Sequence, residues 1–153
     1  LDEVLMLNAS KTMEGEGEKV AVFVRSRPLL GKELEHDTRG CLSFGRERKS
    51  LEVDGRRKKQ FTFDRVFHPT EDQTVVYKET TNGLLESIFS GVNVTLMSYG
   101  QTGSGKTYTM SGADPDGGSP PTTASYTGAD DGPEGLIPRA LGALFALTLG
   151  RRA

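Results

Sequence analysis

The chain has 153 residues, enough for about one domain at the usual 100–200 residues each. Nineteen Lys and Arg against 21 Asp and Glu leave a formal net charge of -2, which excludes a generally basic nucleic-acid or membrane-surface binder. A single cysteine excludes an internal disulfide or a multi-thiolate metal site, and no apolar run approaches the roughly 20 residues of a spanning helix.

With 35% hydrophobic residues and 19 glycines, the expectation is a modest core, much loop, and a soluble chain of a reducing, cytoplasmic compartment. Val4–Leu7 is too short and too acidic in its flanks for a signal peptide. Met13 followed by Glu14-Gly15-Glu16-Gly17-Glu18 reads like a start with an acidic lead-in, so residues 1–18 are expected to be a flexible arm and 19–153 the folded portion.

Val20–Val24 is a continuous β-branched and aromatic run, the pattern of a strand buried on both faces, and Pro28 ends it because proline cannot donate to a ladder. Leu51 and Val53, then Phe61 and Phe63, alternate with polar neighbours around Asp54-Gly55. That predicts a hairpin whose basic tip, Arg56 to Lys59, is a solvated turn. Thr70-Glu71-Asp72-Gln73 has the capping-box pattern and opens a helix through Val76, Tyr77, Leu84, Leu85, Ile88 and Phe89. Asn82-Gly83 weakens its middle by about 1 kcal/mol, and Gly91 is its expected C-terminal stop. Val92–Ser98 is the second buried strand. Residues 111–134 form a long loop of Gly, Pro, Ser, Thr and Asp, after which Gly135–Ala140 opens a last helix with Pro138 in its first turn. Leu141, Leu144, Phe145 and Thr148 share one face of it. Cys41 reads as core filler, and His36 and His68 lack the company of other metal ligands.

The strand at Val92–Ser98 runs into Gly100-Gln101-Thr102-Gly103-Ser104-Gly105-Lys106-Thr107, which fits G-x-x-x-x-G-K-S/T in the required strand-turn-helix context. The chemistry explains the spacing. A polyphosphate needs several donors converging on one point, and Gly103 and Gly105 allow the backbone to turn its N–H groups inward with no side chain in the way. The helix that follows favours an anion at its N-terminus. Lys106 places a positive charge on the β- and γ-phosphates, and Thr107 offers a hydroxyl to Mg²⁺. Arg25 and Pro28, just past the first strand, suggest a second contact, since a proline ring and a guanidinium both suit the face of a purine. A strand-ending turn would explain that pair about as well.

Three ordered segments, R-S-R-P-L at Arg25–Leu29, Y-G-Q-T-G-S-G-K-T-Y-T-M at Tyr99–Met110 and G-L-I-P-R-A at Gly135–Ala140, resemble the N-terminal half of a kinesin motor domain. F-T-F-D-R-V-F at Phe61–Phe67 resembles the strand before that domain's first helix. The resemblance implies an α/β phosphate-loop NTPase fold, a mixed sheet flanked by helices, incomplete over this chain. It implies that Arg25 and Pro28 contact adenine with Tyr108 on the other side, and that Gln101, Thr102, Gly103, Ser104, Gly105, Lys106 and Thr107 wrap the phosphates, Thr107 holding Mg²⁺. ATP or ADP and microtubules are the implied partners, the cytoskeleton the implied place, and no nucleic acid or membrane is expected. Subfamily, direction of travel, cargo and oligomeric state are not carried by these residues.

The family's N-x-x-S-S-R-S-H-type and D-x-x-G-x-E-type segments, which sense the γ-phosphate, do not occur before Ala153. Positioning and charge stabilisation make phosphoryl transfer, so Lys106 is the one catalytic residue expected here, and Glu134 and Asp64 read as ordinary surface acids. The alternative expectation is a truncated, non-catalytic nucleotide-binding or interaction fragment. An unrelated small-molecule kinase predicts an acid-bearing apolar strand after the loop, which the sequence does not contain.

Overall fold

The computed structural model describes residues 4–12, 19–29, 31, 35, 41–55, 57–113 and 134–150. Strand β1 is Val4–Thr12 and β2 is Lys19–Ser26. Three short strands follow, β3 (Leu42–Phe44), β4 (Ser50–Val53) and β5 (Lys59–Thr62), then β6 (Arg65–Phe67). Helices α1 (Gln73–Thr80) and α2 (Asn82–Phe89) lead to β7 (Asn93–Tyr99), α3 (Lys106–Ser111) and α4 (Leu136–Gly150).

One sheet has four strands in the order β6-β2-β1-β7, and a second has three in the order β3-β4-β5. Strand β6 runs parallel to β2, with Val24 opposite Val66, while β1 is antiparallel to both β2 and β7. Part of the expected N-terminal arm is therefore a central strand: Val4 lies opposite Ser26, and Met6 opposite Tyr99. Nine residues that can alternate along a ladder find unpaired backbone on two neighbours, and pairing it outweighs the freedom of an arm. The acidic stretch 13–18 lies outside the described residues.

Successive side chains of β2 point to opposite faces, and the core divides accordingly. On one face Phe23 joins Phe67, Val76 and Leu136, with the Phe23 and Phe67 rings stacked at 6.4 Å. On the other, Val24 and Val66 meet Leu51 of the small sheet, with Leu42, Phe44 and Phe63 around them. The expected hairpin is present, β4 pairing antiparallel with β5 so that Val53 opposes Lys59.

Three expectations are corrected. The helix over 73–89 is two helices, broken at Thr81, one residue before the Asn82-Gly83 weakness. The cap of the first is Asp72, whose carboxylate accepts from Val75 N, and not Thr70. Glu71 accepts from His68 N in the turn before the helix, so the T-x-x-Q pattern forms no capping box and the helix starts two residues later, at the Asp72 cap. Strand β7 is not buried on both faces: Thr95, Met97 and Tyr99 are exposed, because α2 and α3 cover only the Val94, Leu96 and Ser98 side. In α4 the buried residues are Leu136, Pro138 and Arg139, while Leu141 and Phe145 are exposed.

The end of α2 follows the glycine rule. Gly91, at φ 78°, donates to Ile88 O while Val92 N donates to Ser87 O, the paired bonds of a Schellman stop. Most of the long loop, 114–133, lies outside the described residues. Its two ends meet, since Gly112 and Glu134 form an antiparallel bridge. Gly135 packs so closely there that a Cβ would lie 2.5 Å from Met110 C and O.

Candidate nucleotide site

The glycine loop runs from the end of β7 into α3. Gly103 and Gly105 have φ of 87° and 92°, angles that a side chain resists, and Gly105 caps the helix in a left-handed conformation. The N–H groups of the first helical turn have no acceptor inside the helix and face the loop. Lys106 Nζ donates to the carbonyls of Gly100 and Gln101 at 2.9 and 2.8 Å, which folds the ammonium over the loop. The Ser104 hydroxyl is buried without a hydrogen-bond partner in the described structure, a donor whose cost of burial a bound oxygen would offset. Gln101, Thr102 and Thr107 are exposed along the same loop.

Beside the loop lies a cavity of about 290 Å³, whose lining includes Arg25, Pro28, Gly103, Ser104, Gly105 and Tyr108. Of the residues expected to contact nucleotide, these six converge on one space, while Lys106 sits at the adjoining end of α3. Pro28 and the half-open Tyr108 ring provide flat surfaces. Arg25 is buried. Its guanidinium carbon lies 5.4 Å from the Tyr108 ring centroid, and its Nη1 donates to Gln73 Oε1 at 2.7 Å and Thr109 Oγ1 at 2.8 Å. Burial pulls its pKa below the usual arginine value, with the nearby Tyr108, Asp72 and Glu71 opposing, and the group stays charged.

Sequence reasoning missed Arg27, Gln73 and Thr109. Arg27 Nε donates to Gly103 O at 3.0 Å, tying the end of β2 to the phosphate loop. The second arginine of R-S-R-P was the available signal. Gln73 donates through Nε2 to the Tyr108 carbonyl, and nothing local announces that, because its partners lie 35 and 48 residues away. Asp64 accepts from Val22 N at 2.8 Å, and Glu134 lies at the bridge with Gly112, so neither stands at the loop. Among the described residues no cluster of His, Cys, Asp and Glu could hold a metal by itself, and Thr107, exposed, follows Lys106 in the first turn of α3. No described helix is long and apolar enough to cross a membrane.

A strand, a glycine loop with lysine and threonine, and a helix, set in a mixed sheet with helices on one face, define the phosphate-loop NTPase class. The kinesin motor domain family model matches residues 25–152. The chain belongs to the kinesin motor domain family. It is 39% identical over 132 residues to kinesin-like protein klp-19 of Caenorhabditis elegans, covering 86% of this chain and 11% of that protein. Chromosome-associated kinesin KIF4 of Mus musculus is 38% identical over 134 residues, with 86% and 10% covered, and kinesin-like protein KIF7 of Mus musculus 38% over 141 residues, with 92% and 10% covered. The chain thus spans about a tenth of the length of these relatives.

Proposed function

We propose that this chain is the ATP-binding part of a microtubule-based motor, in which ATP hydrolysis is coupled to movement along microtubules. The observation that carries the reading is the junction of the Arg25–Pro28–Tyr108 cavity with the left-handed glycine loop under Lys106. Purine, ribose and phosphates need such a sequence of surfaces: flat and apolar first, then rich in inward N–H groups, then cationic.

The base lies between Pro28 and Tyr108 over the Arg25 floor. Lys106 exchanges the Gly100 and Gln101 carbonyls for phosphate oxygens, stronger acceptors because they are charged. The buried Ser104 hydroxyl gains an acceptor. Mg²⁺, held by Thr107 and the phosphates, would neutralise charge on the terminal phosphate. Hydrolysis, microtubule binding and a cytoskeletal location are readings for the whole motor, supported by family membership.

Calorimetry with MgATP tests the site. Lys106→Ala is expected to weaken binding by about 2–3 kcal/mol, on the order of a hundredfold, through loss of a charged hydrogen bond. Unchanged MgATP affinity in that variant overturns the assignment. Microtubule-stimulated ATP turnover by the protein tests the motor reading, and the absence of both stimulation and microtubule co-sedimentation overturns it.

A further inference from the structure

Gln73 does more than begin a helix. It is 3% exposed at the start of α1, and its amide offers an acceptor on one side and donors on the other. The acceptor takes Arg25 Nη1 from β2, and a donor reaches the Tyr108 carbonyl in α3. Arg25 and Tyr108 both line the cavity, so one side chain ties together two of its walls. Thr109, the residue after Tyr108, closes the circuit by accepting from the same Arg25 nitrogen.

We propose that Gln73 is a positioning residue that sets the spacing of Arg25 and Tyr108 and so confers the base-dependent share of nucleotide affinity. The inference rests on the nucleotide-site reading above. Loss of the amide leaves a buried guanidinium N–H without its acceptor and the Tyr108 carbonyl with Gly112 N as its remaining donor, so the Arg25–Thr109 bond alone is left to hold the two walls and their spacing loosens. The burial that lowers the Arg25 pKa makes its lost acceptor costly to replace. The phosphate loop has its own ties, through Lys106 to Gly100 and Gln101 and through Arg27 to Gly103, none of which involves Gln73.

The test compares MgATP with magnesium tripolyphosphate, which carries the phosphates and no base. Both are titrated by calorimetry into the wild-type protein, Gln73→Leu and Gln73→Glu, with circular dichroism melts to check that each variant is folded. Gln73→Leu removes both bonds. Gln73→Glu keeps an acceptor for Arg25 but sets a carboxylate against the Tyr108 carbonyl, and it serves where the leucine variant does not fold. The expected result is a fall of about tenfold or more in MgATP affinity with tripolyphosphate affinity within about twofold of wild type. A parallel fall for both ligands marks a merely structural role and overturns the inference, as does an unchanged ratio. Failure of the wild-type protein to bind either ligand overturns the nucleotide site itself, and this inference with it.

Discussion

Glu71 holds more of the structure together than its place in a turn suggests. Its Oε1 accepts from Arg65 Nη2 at 2.8 Å and Arg48 Nη1 at 2.7 Å, and its Oε2 from His68 N. Glu71 and Arg65 side chains are 9% and 14% exposed, so this pair is shielded from solvent, whereas Arg48 is 56% exposed. Glu71→Ala leaves the nearly buried Arg65 with only the looser, half-exposed Glu79 carboxylate at 3.8 Å and is expected to cost about 2–3 kcal/mol in urea unfolding, against less than about 1 kcal/mol for Arg48→Ala. Equal costs would show that the exposed pair carries the stabilisation. At this scale the site was partly legible in the sequence. The glycine loop is contiguous, so its chemistry can be read in a line from Gly100 to Thr107. The partners of Arg25 could not be read that way, because Gln73 and Thr109 reach it only after β2, α1 and α3 have packed.

Between residues and the whole chain, glycines decide where elements stop and touch. Gly91→Ala places a Cβ at φ 78° with open space around it, so the cost is conformational alone, about 1 kcal/mol. Gly135→Ala meets the backbone of Met110 and Gly112 at 2.5 Å, which cannot give way as a flexible side chain would. Its expected cost is larger, about 2–3 kcal/mol, with the bridge between Gly112 and Glu134 disturbed. Thermal melts of the two variants side by side check the order, and a Gly91 variant that melts lower than the Gly135 variant contradicts it. The elements themselves were well announced where periodicity was strong, as in β2, the β4–β5 hairpin and α4. Two things were hidden. The pattern from Thr70 to Gln73 matched a capping box, but tertiary hydrogen bonds claimed Glu71 and Gln73 and left capping to Asp72. Strand β1 was hidden because VLMLNASKT has no turn chemistry or burial pattern that names its partners, and pairing with β2 and β7 alone makes it a strand.

At the scale of the whole molecule, β2 and β6 are the wall on which both clusters are built. Phe67 and Val66 are adjacent in sequence and serve opposite faces, Phe67 under the helices and Val66 against the small sheet. Phe67 is fully buried, so Phe67→Ala is expected to cost about 3–5 kcal/mol in urea unfolding, enough to unfold a marginal domain. A cost under about 1 kcal/mol would mean that the helix-side cluster is not the main core. Met97 and Tyr99 are exposed on β7, on the same side of the sheet as Val24, and among the described residues β7 pairs only with β1.

The placement of β1 also matters to anyone handling the protein. Its first residue, Val4, sits opposite Ser26, and Met6 opposite Tyr99, so the start of β1 lies at the same rim from which the glycine loop departs. A fluorophore, affinity handle or bead attached at Val4 sits at that rim beside Ser26, and any pull on it is delivered as mechanical load between β2 and β7, the strand that leads into the glycine loop.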